Sequence, residues 1–560
     1  MSVALGMYPA LTNRFSAHRA DIGVGRWRLL IGLIAILTAG SGIVMIDSIP
    51  LDSHEIFVAQ TTHEMAVRGD WLVPYFNEQP RLNKPPLSYW AAALLAKVAG
   101  DLPTVCAWHV RLISVLAGLG VLGCTVLNAR LLFDRTTGLV AGALLASSAG
   151  MFSFMHDARP DMLYAFWISL MIAAAAGLVH ASTIRGRGTE WLAVTLWLSA
   201  GLATLTKGPH IPIVVLVGIA LGLRQTLGSW RRTRSLLRPV LGSVLVLAVC
   251  VPWWWLLQEH LDAARVESSQ LGGTLLVPAL SRLGNPYYLY RPLQLLLPWL
   301  PVIFVALVGY RRPVARQGIS PLVWPLLLTV AALSTGQQFR FFYLLPLLGV
   351  LSILVARPWV CSLRAILPRP ERGLILGAFV LQIVILFGCA GWVIQQARGT
   401  AQFGLIMGLL VASVGSSYAV WRLVPGPRTI SATVAMAVVM IVLWSAAAVT
   451  GALWDRERYA GHRLARLAAT ELAPATTLAA YGVSPTVYVY TLKRRVPALT
   501  NIAEVDGLIA RSRNGDLGLV LRGGDVAGLA ARYAVTELGR YRRGDADDVL
   551  VVLHSQASPR

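Results

Sequence analysis

The stretch from residue 51 to residue 90 carries the densest set of side chains that could do chemistry. Its carboxylates could accept a proton, bind a cation or steer an electrophilic sugar carbon, and its cations could bind a phosphate. Ionisable groups beside apolar segments are typical of functional sites, so we expect catalytic and binding residues here. The groups concerned are Asp52, His54, Glu55, His63, Glu64, Asp70, Arg81 and Lys84.

Asp52 and Glu55 have two interpretations. Their spacing is that of a capping box, in which both carboxylates accept hydrogen bonds from amides at the start of a helix. Alternatively, both are catalytic, or Glu55 binds a divalent metal ion together with His54. We favour the catalytic role, because the helix predicted to follow would lie along the membrane surface. The metal site at His54 and Glu55 stays open as an option, and no other cofactor is predicted.

A second charged segment, residues 156–161, lies between two apolar spans and contains His156, Asp157, Arg159 and Asp161. Pro160 suits the first position of a helix, and Asp161 suits the first turn, where its charge meets the positive end of the helix dipole. This many ionisable groups at a membrane boundary exceeds what one helix start requires. Asp161 is therefore our third catalytic candidate.

Four cations could bind a phosphate group, namely Arg81, Lys84, Lys207 and Arg340. Arginine and lysine both neutralise phosphate, and arginine can do so with two parallel hydrogen bonds. Two of the four also have purely structural interpretations. Lys207 is followed by glycine and proline, as at the end of an ordinary helix, and Arg340 could extend its charge to the membrane interface.

Composition identifies the scaffold that must position these groups. The 560 residues are 56% hydrophobic and 14% charged, which is typical of a protein with many membrane spans. The net charge of +22 comes from basic residues in short loops between apolar runs, which argues against a nucleic-acid partner. The five cysteines have no metal-binding spacing and predict neither a zinc site nor a disulfide framework.

About thirteen segments approach the ~20 apolar residues that a membrane-spanning helix needs, from residues 27–46 to residues 430–453. The run at 87–98 is too short and begins after Pro85-Pro86, so we interpret it as a surface helix. With a cytoplasmic N-terminus, the arginine-rich loops all fall on the cytoplasmic side. Residues 1–453 are thus predicted to form the membrane domain, with interfacial helices in a first external loop at 47–106.

Hydropathy falls after residue 453, and residues 454–560 are predicted to form a small α/β domain outside the membrane. Short runs typical of strands occur at 477–481, 486–490, 517–521 and 549–553. The predicted fold class is therefore mainly α, with a polytopic membrane region and a C-terminal α/β domain.

Several motifs resemble a known family. The first loop contains Arg68-Gly69-Asp70-Trp71-Leu72-Val73-Pro74, then Lys84-Pro85-Pro86 and Tyr89-Trp90. This combination resembles the first external loop of bacterial lipid A glycosyltransferases that transfer aminoarabinose, which are relatives of the protein O-mannosyltransferases. The resemblance continues at Asp161, at Leu205-Thr206-Lys207-Gly208-Pro209, at Tyr288 with Pro298-Trp299, and at Tyr343-Leu344-Leu345-Pro346.

The resemblance implies the large membrane glycosyltransferase fold and transfer of a sugar, such as aminoarabinose, from polyprenyl phosphate with inversion. The acceptor would be lipid A or a protein at the outer face of the bacterial inner membrane. The active site and the C-terminal domain would then be periplasmic. The family resemblance is also the basis for predicting a substrate cleft that includes His54, Tyr89, Tyr288 and Tyr343. One departure is that the family's Asp-Glu pair falls on His54-Glu55, with Asp52 two residues earlier.

Three other functions remain open at this point. A protein O-mannosyltransferase-like enzyme would use the same scaffold with another acceptor. A lipid transporter or flippase would place charged residues near the middle of the bilayer, often in repeated halves, and this sequence has no such repeat. A non-catalytic lipid-binding protein would keep the cations but tolerate loss of the carboxylates.

Overall fold

The computed structural model describes residues 21–184, 188–261, 287–335, 339–365, 369–398, parts of 403–418, 428–450, 456–512, 516–543 and 546–554. The chain divides into two compact units. The first, here called the helical unit, comprises Met1–Met45, Leu82–Ser88 and Arg111–Ala452. The second, here called the sheet unit, comprises Ile46–Arg81, Tyr89–Val110 and Leu453–Arg560.

Helices dominate the described residues. The first part of the chain contains α1 (Val24–Ile43), α2 (Ser53–Arg68), β1 (Tyr75–Phe76), β2 (Gln79–Pro80), α3 (Leu87–Ala99), α4 (Ala107–Leu132), α5 (Arg135–Ala146), α6 (Ala149–Met155), α7 (Pro160–Ile184), α8 (Thr189–Lys207), α9 (His210–Leu227), α10 (Trp230–Leu237) and α11 (Pro239–His260).

The second part begins with short helices and ends with strands. It contains α12 (Tyr287–Tyr290), α13 (Pro292–Leu295), α14 (Leu300–Gly309), α15 (Pro313–Arg316), α16 (Ser320–Ser334), a 3-10 helix (Phe341–Leu347), α17 (Leu348–Arg364), α18 (Arg369–Ala397), α19 (Arg428–Val449), α20 (Arg456–Glu471), β3 (Thr477–Tyr481), α21 (Thr486–Leu492), β4 (Ala498–Leu499), α22 (Ile502–Arg511), β5 (Asp516–Arg522), a 3-10 turn (Gly523–Asp525), α23 (Val526–Ala530), β6 (Ala534–Arg543) and β7 (Ala546–His554).

Eight helical segments among the described residues are long and apolar enough to cross a membrane, and the bent pair α5–α6 would be a ninth. They include α1, α4, α7, α9, α18 and α19. The expectation of a mainly helical protein with many membrane spans is confirmed. Residues 87–98 form helix α3, which at 13 residues is too short for this set, and its position at the membrane surface stays a prediction.

The span predicted at 137–155 is broken. Helices α5 and α6 meet at an angle of 59°. Ser147 follows α5, and the Ser148 hydroxyl caps α6 by accepting a hydrogen bond from the Met151 amide at 3.2 Å. The Trp299 indole donates to the Ser147 hydroxyl at 2.9 Å, and the Trp444 indole donates to its carbonyl at 3.0 Å. Indole donors therefore satisfy the groups that the break exposes.

The span predicted at 289–310 is also wrong as a single helix. The structure has α12, α13 and α14 in this region. Pro292, Pro298 and Pro301 interrupt the sequence, and each lacks the backbone N–H that a continuous helix needs. Two of these prolines therefore open a new helix, Pro292 at α13 and Pro301 at the start of α14.

In the helical unit, α9 packs closely on α16. A Cβ atom placed on Gly218 would lie 2.5 Å from the Cα of Pro325, and one on Gly222 would lie 2.8 Å from the Cα of Pro321. Small residues let two backbones approach in this way, which is the usual device where helices associate in a membrane.

The sheet unit contains a five-stranded sheet in the order β4-β3-β5-β7-β6. β3 runs parallel to β4 and β5, whereas β7 pairs antiparallel with β5 and β6. Buried aliphatic side chains cover both faces, with Leu464 and Val520 in one cluster and Val505 and Leu519 in the other. Residues 477–481, 517–521 and 549–553 are strands as predicted, but residues 486–490 belong to helix α21, so that strand prediction is wrong.

The sheet unit also includes most of the first loop, whereas the sequence predicts that residues 47–106 belong to the membrane domain. The Asn77 side chain makes two hydrogen bonds of 2.9 Å with the backbone of Val496. The imidazole of His462 lies 2.9 Å from the carbonyl oxygen of Leu51. Residues 46–81 and 89–110 therefore share one compact body with the C-terminal strands.

Candidate active site

Asp161 and Lys207 form an ion pair in the helical unit. Asp161 lies in the first turn of α7, and Lys207 is the last residue of α8, which ends because Gly208 adopts φ +106°. The two side chains are 7% and 11% exposed, respectively. Charges this well buried are stable only when paired, so each group fixes the position of the other.

Aromatic rings surround the Lys207 ammonium. Its Nζ lies 5.0 Å from the ring centre of Tyr343, 5.6 Å from that of Phe342 and 5.9 Å from that of Tyr164. Cations are attracted to such ring faces, and the rings also exclude water. The ammonium therefore lies in an environment of low dielectric constant, where it would attract an anionic ligand more strongly than in water.

Lys84 belongs to the same unit as Lys207. Both ammonium groups act electrostatically on His210, the first residue of α9. Two predicted phosphate-binding cations therefore lie in the neighbourhood of the same histidine, and their binding of phosphate stays a prediction.

Tyr288 contacts the backbone of Arg340. The backbone amide of Arg340 donates a hydrogen bond to the Tyr288 hydroxyl at 3.2 Å. Burial raises the pKa of Tyr288 to about 12, although the hydrogen bond from Arg340 lowers it and Tyr343 adds a small increase. Tyr288 therefore remains a neutral hydrogen-bonding group near Tyr343 at physiological pH.

The loop before α7 is tied down by local bonds. The two His156 ring nitrogens lie 2.9 Å from the carbonyl oxygen of Phe152 and 3.2 Å from that of Val44, so the imidazole can donate to either one. Arg159 pairs with Asp157 at 2.8 Å. These contacts give the charged loop a structural role, and Asp161 is the carboxylate of this segment that pairs with Lys207.

In the sheet unit, Asp52 and Glu55 form the capping box that their spacing allows. The Asp52 carboxylate accepts from the Glu55 amide, and the Glu55 carboxylate accepts from the Asp52 amide, each at 2.8 Å. Glu55 is 0% exposed. The structural interpretation is confirmed, and a catalytic role for either residue stays a prediction.

His54 is exposed, and its ring lies 6.4 Å from that of Phe57 in an edge-on arrangement. Within the described part of the chain, no group of three or more His, Cys, Asp or Glu side chains could hold a metal ion. The geometry therefore gives no support to the metal site at His54 and Glu55.

Arg81 and Tyr89 contact each other in the sheet unit. The Arg81 guanidinium lies 3.9 Å from the ring centre of Phe57 and hydrogen-bonds the Tyr89 phenol. Burial raises the pKa of Tyr89, while the charge of Arg81 and this hydrogen bond lower it. Phe57 and Tyr89 thus hold the predicted phosphate-binding arginine in place.

Sequence reasoning missed Tyr164 and Phe342. Tyr164 lies three residues after Asp161 and therefore on the same face of α7, which spacing alone could have indicated. Phe342 precedes Tyr343 in the 3-10 helix, and its contact with Lys207 depends on a long-range fold that no local pattern reveals.

Comparisons with known proteins agree with the motifs. The family profile described as dolichyl-phosphate-mannose-protein mannosyltransferase matches residues 83–256. An undecaprenyl phosphate-alpha-4-amino-4-deoxy-L-arabinose arabinosyl transferase of Pseudomonas paraeruginosa is 30% identical over 404 residues, which are 67% of this chain and 69% of that protein. This chain belongs to the arabinosyl transferase family.

Other members of the arabinosyl transferase family extend the comparison. One from Pseudomonas aeruginosa is 30% identical over 347 residues, which cover 56% of this chain and 58% of its own length. The crystal structure of ArnT from Cupriavidus metallidurans bound to undecaprenyl phosphate has a TM-score of 0.74 at 20% identity, and covers 96% of this chain and 100% of that one. The arabinosyl transferase fold therefore extends over nearly the whole chain.

Proposed function

We propose that this chain is an integral-membrane glycosyltransferase that moves 4-amino-4-deoxy-L-arabinose from undecaprenyl phosphate to lipid A. Its similarity to the arabinosyl transferases supports this choice of donor, because their names contain both undecaprenyl phosphate and 4-amino-4-deoxy-L-arabinose. The observation that carries the proposal is the ion pair of Lys207 and Asp161 beside Tyr343, because a buried ammonium among aromatic rings is suited to an anionic donor.

The reaction breaks the bond between the anomeric carbon and the donor phosphate oxygen. A new bond forms between that carbon and an oxygen of the acceptor, and undecaprenyl phosphate leaves. Negative charge on the leaving phosphate grows as the bond breaks, so cations that hold it bind the transition state more tightly than the ground state. If the acceptor is a phosphate group of lipid A, it is already a nucleophile and needs no strong general base.

Residues of the helical unit bind the donor phosphate and the sugar. Lys207 and Lys84 bind the donor phosphate, and Arg340 contributes a further positive charge. Asp161 orients Lys207 and balances its charge when no substrate is bound. Tyr288 and Tyr343 line the cleft that receives the sugar.

The sheet unit contributes a second set of groups. Arg81 binds an anionic oxygen of the donor, while Tyr89 and His54 contact substrate. Asp52 and Glu55 position the acceptor from the first turn of α2. This assignment is supported by the order that the capping box imposes on both carboxylates.

We also propose thirteen membrane crossings, with a cytoplasmic N-terminus and a periplasmic C-terminal region of the bacterial inner membrane. Besides the eight spans and the bent pair, α8, α14 and α16 would cross, and the predicted span at 403–421 lies largely outside the described residues. Arg364 at the end of α17 bonds Asp134 before α5 at 3.0 Å, so these two helix ends lie together. That end is rich in arginine, which favours the cytoplasmic side.

Mass spectrometry of lipid A tests the proposal. Cells that express this chain should carry an added pentosamine on a lipid A phosphate, and cells with Lys207→Ala should not. Unmodified lipid A in cells where the protein is present at normal levels in the membrane would contradict it.

One observation favours a second function. The family profile that matches residues 83–256 is that of the dolichyl-phosphate-mannose-protein mannosyltransferases, which are named for transfer of mannose to protein. Under that alternative, lipid A would be unchanged and membrane or secreted proteins would carry fewer sugars when the chain is removed. The same mass spectrometry experiment, extended to glycoproteins, separates the two functions.

A further inference from the structure

Hydrogen bonds, closed into a ring by the backbone between Lys493 and Val496, join three segments of the sheet unit. The Lys493 ammonium donates to the Gln60 side chain at 3.3 Å, and the Gln60 amide donates to Glu64 at 3.0 Å. Glu64 accepts from the backbone amide of Asn77 at 2.8 Å. Asn77 then bonds both backbone groups of Val496, three residues after Lys493, at 2.9 Å each. Helix α2, the β1–β2 turn and residues 493–496 are therefore linked to one another.

The turn itself needs this support. Asn77 and Glu78 have φ values of +56° and +65°, a left-handed conformation that side-chain-bearing residues rarely adopt. It suits a two-residue hairpin turn, and it leaves both amides directed toward one acceptor. Glu64 accepts from the Asn77 amide and, through its other oxygen, from the Glu78 amide at 3.0 Å. The Glu64 carboxylate thus stabilises a backbone shape that would otherwise be unfavourable.

The hairpin also determines the position of Arg81. The Arg81 amide donates to the Pro74 carbonyl at 2.7 Å and closes the hairpin at its base. Phe76 packs edge-on against Phe57 of α2 with 4.8 Å between ring centres, and the Arg81 guanidinium covers the same Phe57 ring at 3.9 Å. A shift of the hairpin on α2 would therefore move the guanidinium with it.

Arg81 also has an unused donor. Its Nε is buried and has no hydrogen-bond partner among the described residues. Buried polar groups are nearly always bonded, and an exception often marks the place of a water or a ligand. The arginine is thus held by its neighbours and still has bonding capacity.

We propose that the ring formed by Lys493, Gln60, Glu64 and Asn77 positions Arg81 to bind the phosphate of the polyprenyl donor. Asn77, Glu64 and Lys493 are positioning residues, because they act through Arg81 and the hairpin. The inference rests on the proposed function in taking Arg81 as a donor-binding cation. It goes further by giving the C-terminal segment at residues 493–496 a part in donor recognition.

The test measures the dissociation constant of the full-length protein for undecaprenyl phosphate, which needs no catalytic turnover. Asn77→Gly keeps the left-handed turn accessible and removes both bonds to Val496. We expect it to weaken binding roughly ten-fold, about the effect of a misplaced charged hydrogen bond. Lys493→Met should act in the same direction, and Lys493→Arg should restore most of the affinity. Glu504→Gln changes the side chain that accepts a hydrogen bond from the Thr500 amide at 2.7 Å, elsewhere in the sheet unit, and serves as the matched control with unchanged affinity.

Combination with Arg81→Ala shows whether the ring acts through that arginine. In the Arg81→Ala background, Asn77→Gly should change the affinity less than about two-fold, because the effects of coupled residues do not add. Equal effects in both backgrounds, or wild-type affinity for Asn77→Gly alone, would overturn the inference. Tight binding without sugar transfer by the wild type would instead contradict the proposed function and leave the positioning role standing.

Discussion

At the scale of single residues, two helix ends determine the position and the electrostatic environment of Lys207. The carboxyl end of α8 attracts its positive charge, and Asp161 in the first turn of α7 supplies the opposite charge. Because both groups are largely buried, removal of either leaves an uncompensated charge in a poorly hydrated place. The pair therefore contributes to stability, and under the proposed function it contributes to donor binding as well.

Substitution of this pair separates the two effects. Lys207→Ala should lower kcat/KM for sugar transfer by at least about 100-fold, the usual effect of removing one stabilising donor. Asp161→Asn should also lower the melting temperature, since breaking a buried pair costs ~3–5 kcal/mol. Thermal unfolding in detergent and initial rates measure both quantities.

Glu190→Gln is the matched control for these variants. It breaks the exposed ion pair with Arg238 at the other end of α8. Such pairs contribute ~0–1 kcal/mol, so both rate and melting temperature should stay near the wild-type values. Wild-type transfer rates for Lys207→Ala would exclude that lysine from phosphate binding.

The two roles of Glu55 can be separated in a similar way. Glu55→Gln keeps an oxygen that accepts from the Asp52 amide, so the capping box and the melting temperature should be retained. If the negative charge positions the acceptor, transfer should fall at least about ten-fold. Asp52→Ser also preserves a helix cap and allows the same comparison for Asp52. Full activity in both variants would restrict these carboxylates to their structural role.

At the scale of elements, helix ends and strands were the most predictable features. Capping at Asp52, the start of α7 at Pro160 and the end of α8 at Gly208 all follow from local chemistry that the sequence displays. The break between α5 and α6 could not be predicted, because the donors that stabilise it are Trp299 and Trp444, far away in the sequence. Residues 486–490 are rich in β-branched and aromatic side chains, yet they form a helix within the packed sheet unit.

The contact between α9 and α16 predicts a specific sensitivity. In Gly218→Ala, the new methyl group would lie 2.5 Å from Pro325, so the helices must move apart at a cost of ~1–3 kcal/mol. Gly388→Ala in α18 is the control, because no atom of the described residues outside its own helix lies within 4 Å of the added Cβ. Thermal unfolding should show a lower melting temperature for the first variant only. Equal behaviour would mean that the two helices do not pack through this glycine.

Helix α2 carries a pH-dependent contact. The His63 Nδ1 lies 2.7 Å from the Pro103 carbonyl oxygen and must carry a proton to donate to it. Burial, and to a lesser extent the charge of Lys493, lower the pKa of His63 below 6.5. The unfolded chain therefore binds a proton more readily than the folded chain, so this residue makes stability fall as the pH falls below about 6.5.

His63→Gln removes the titrating group and keeps a donor for Pro103. Between about pH 7.5 and about pH 5, the wild type should lose melting temperature relative to this variant. A constant difference across that range, or a gain by the wild type at acidic pH, would contradict the assignment.

At the scale of the whole molecule, the family fold and the many membrane spans could be predicted from composition and motifs. The division into units could not, since the first loop shares a body with the C-terminal strands through bonds such as that of Asn77 with Val496. Local patterns show which residues could make such bonds, but they do not show with which distant partner. For the same reason, the sequence suggested Lys207 and Asp161 separately, and their pairing emerged only from the fold.

The central claim is tested most directly with purified protein, lipid A and 4-amino-4-deoxy-L-arabinose on undecaprenyl phosphate. We predict that the protein adds one pentosamine to lipid A, detected by mass spectrometry, and releases one equivalent of undecaprenyl phosphate. The product should be absent with Lys207→Ala and present with Glu190→Gln. Unmodified lipid A with the wild-type protein, under conditions where the Pseudomonas paraeruginosa transferase forms the product, would contradict the account.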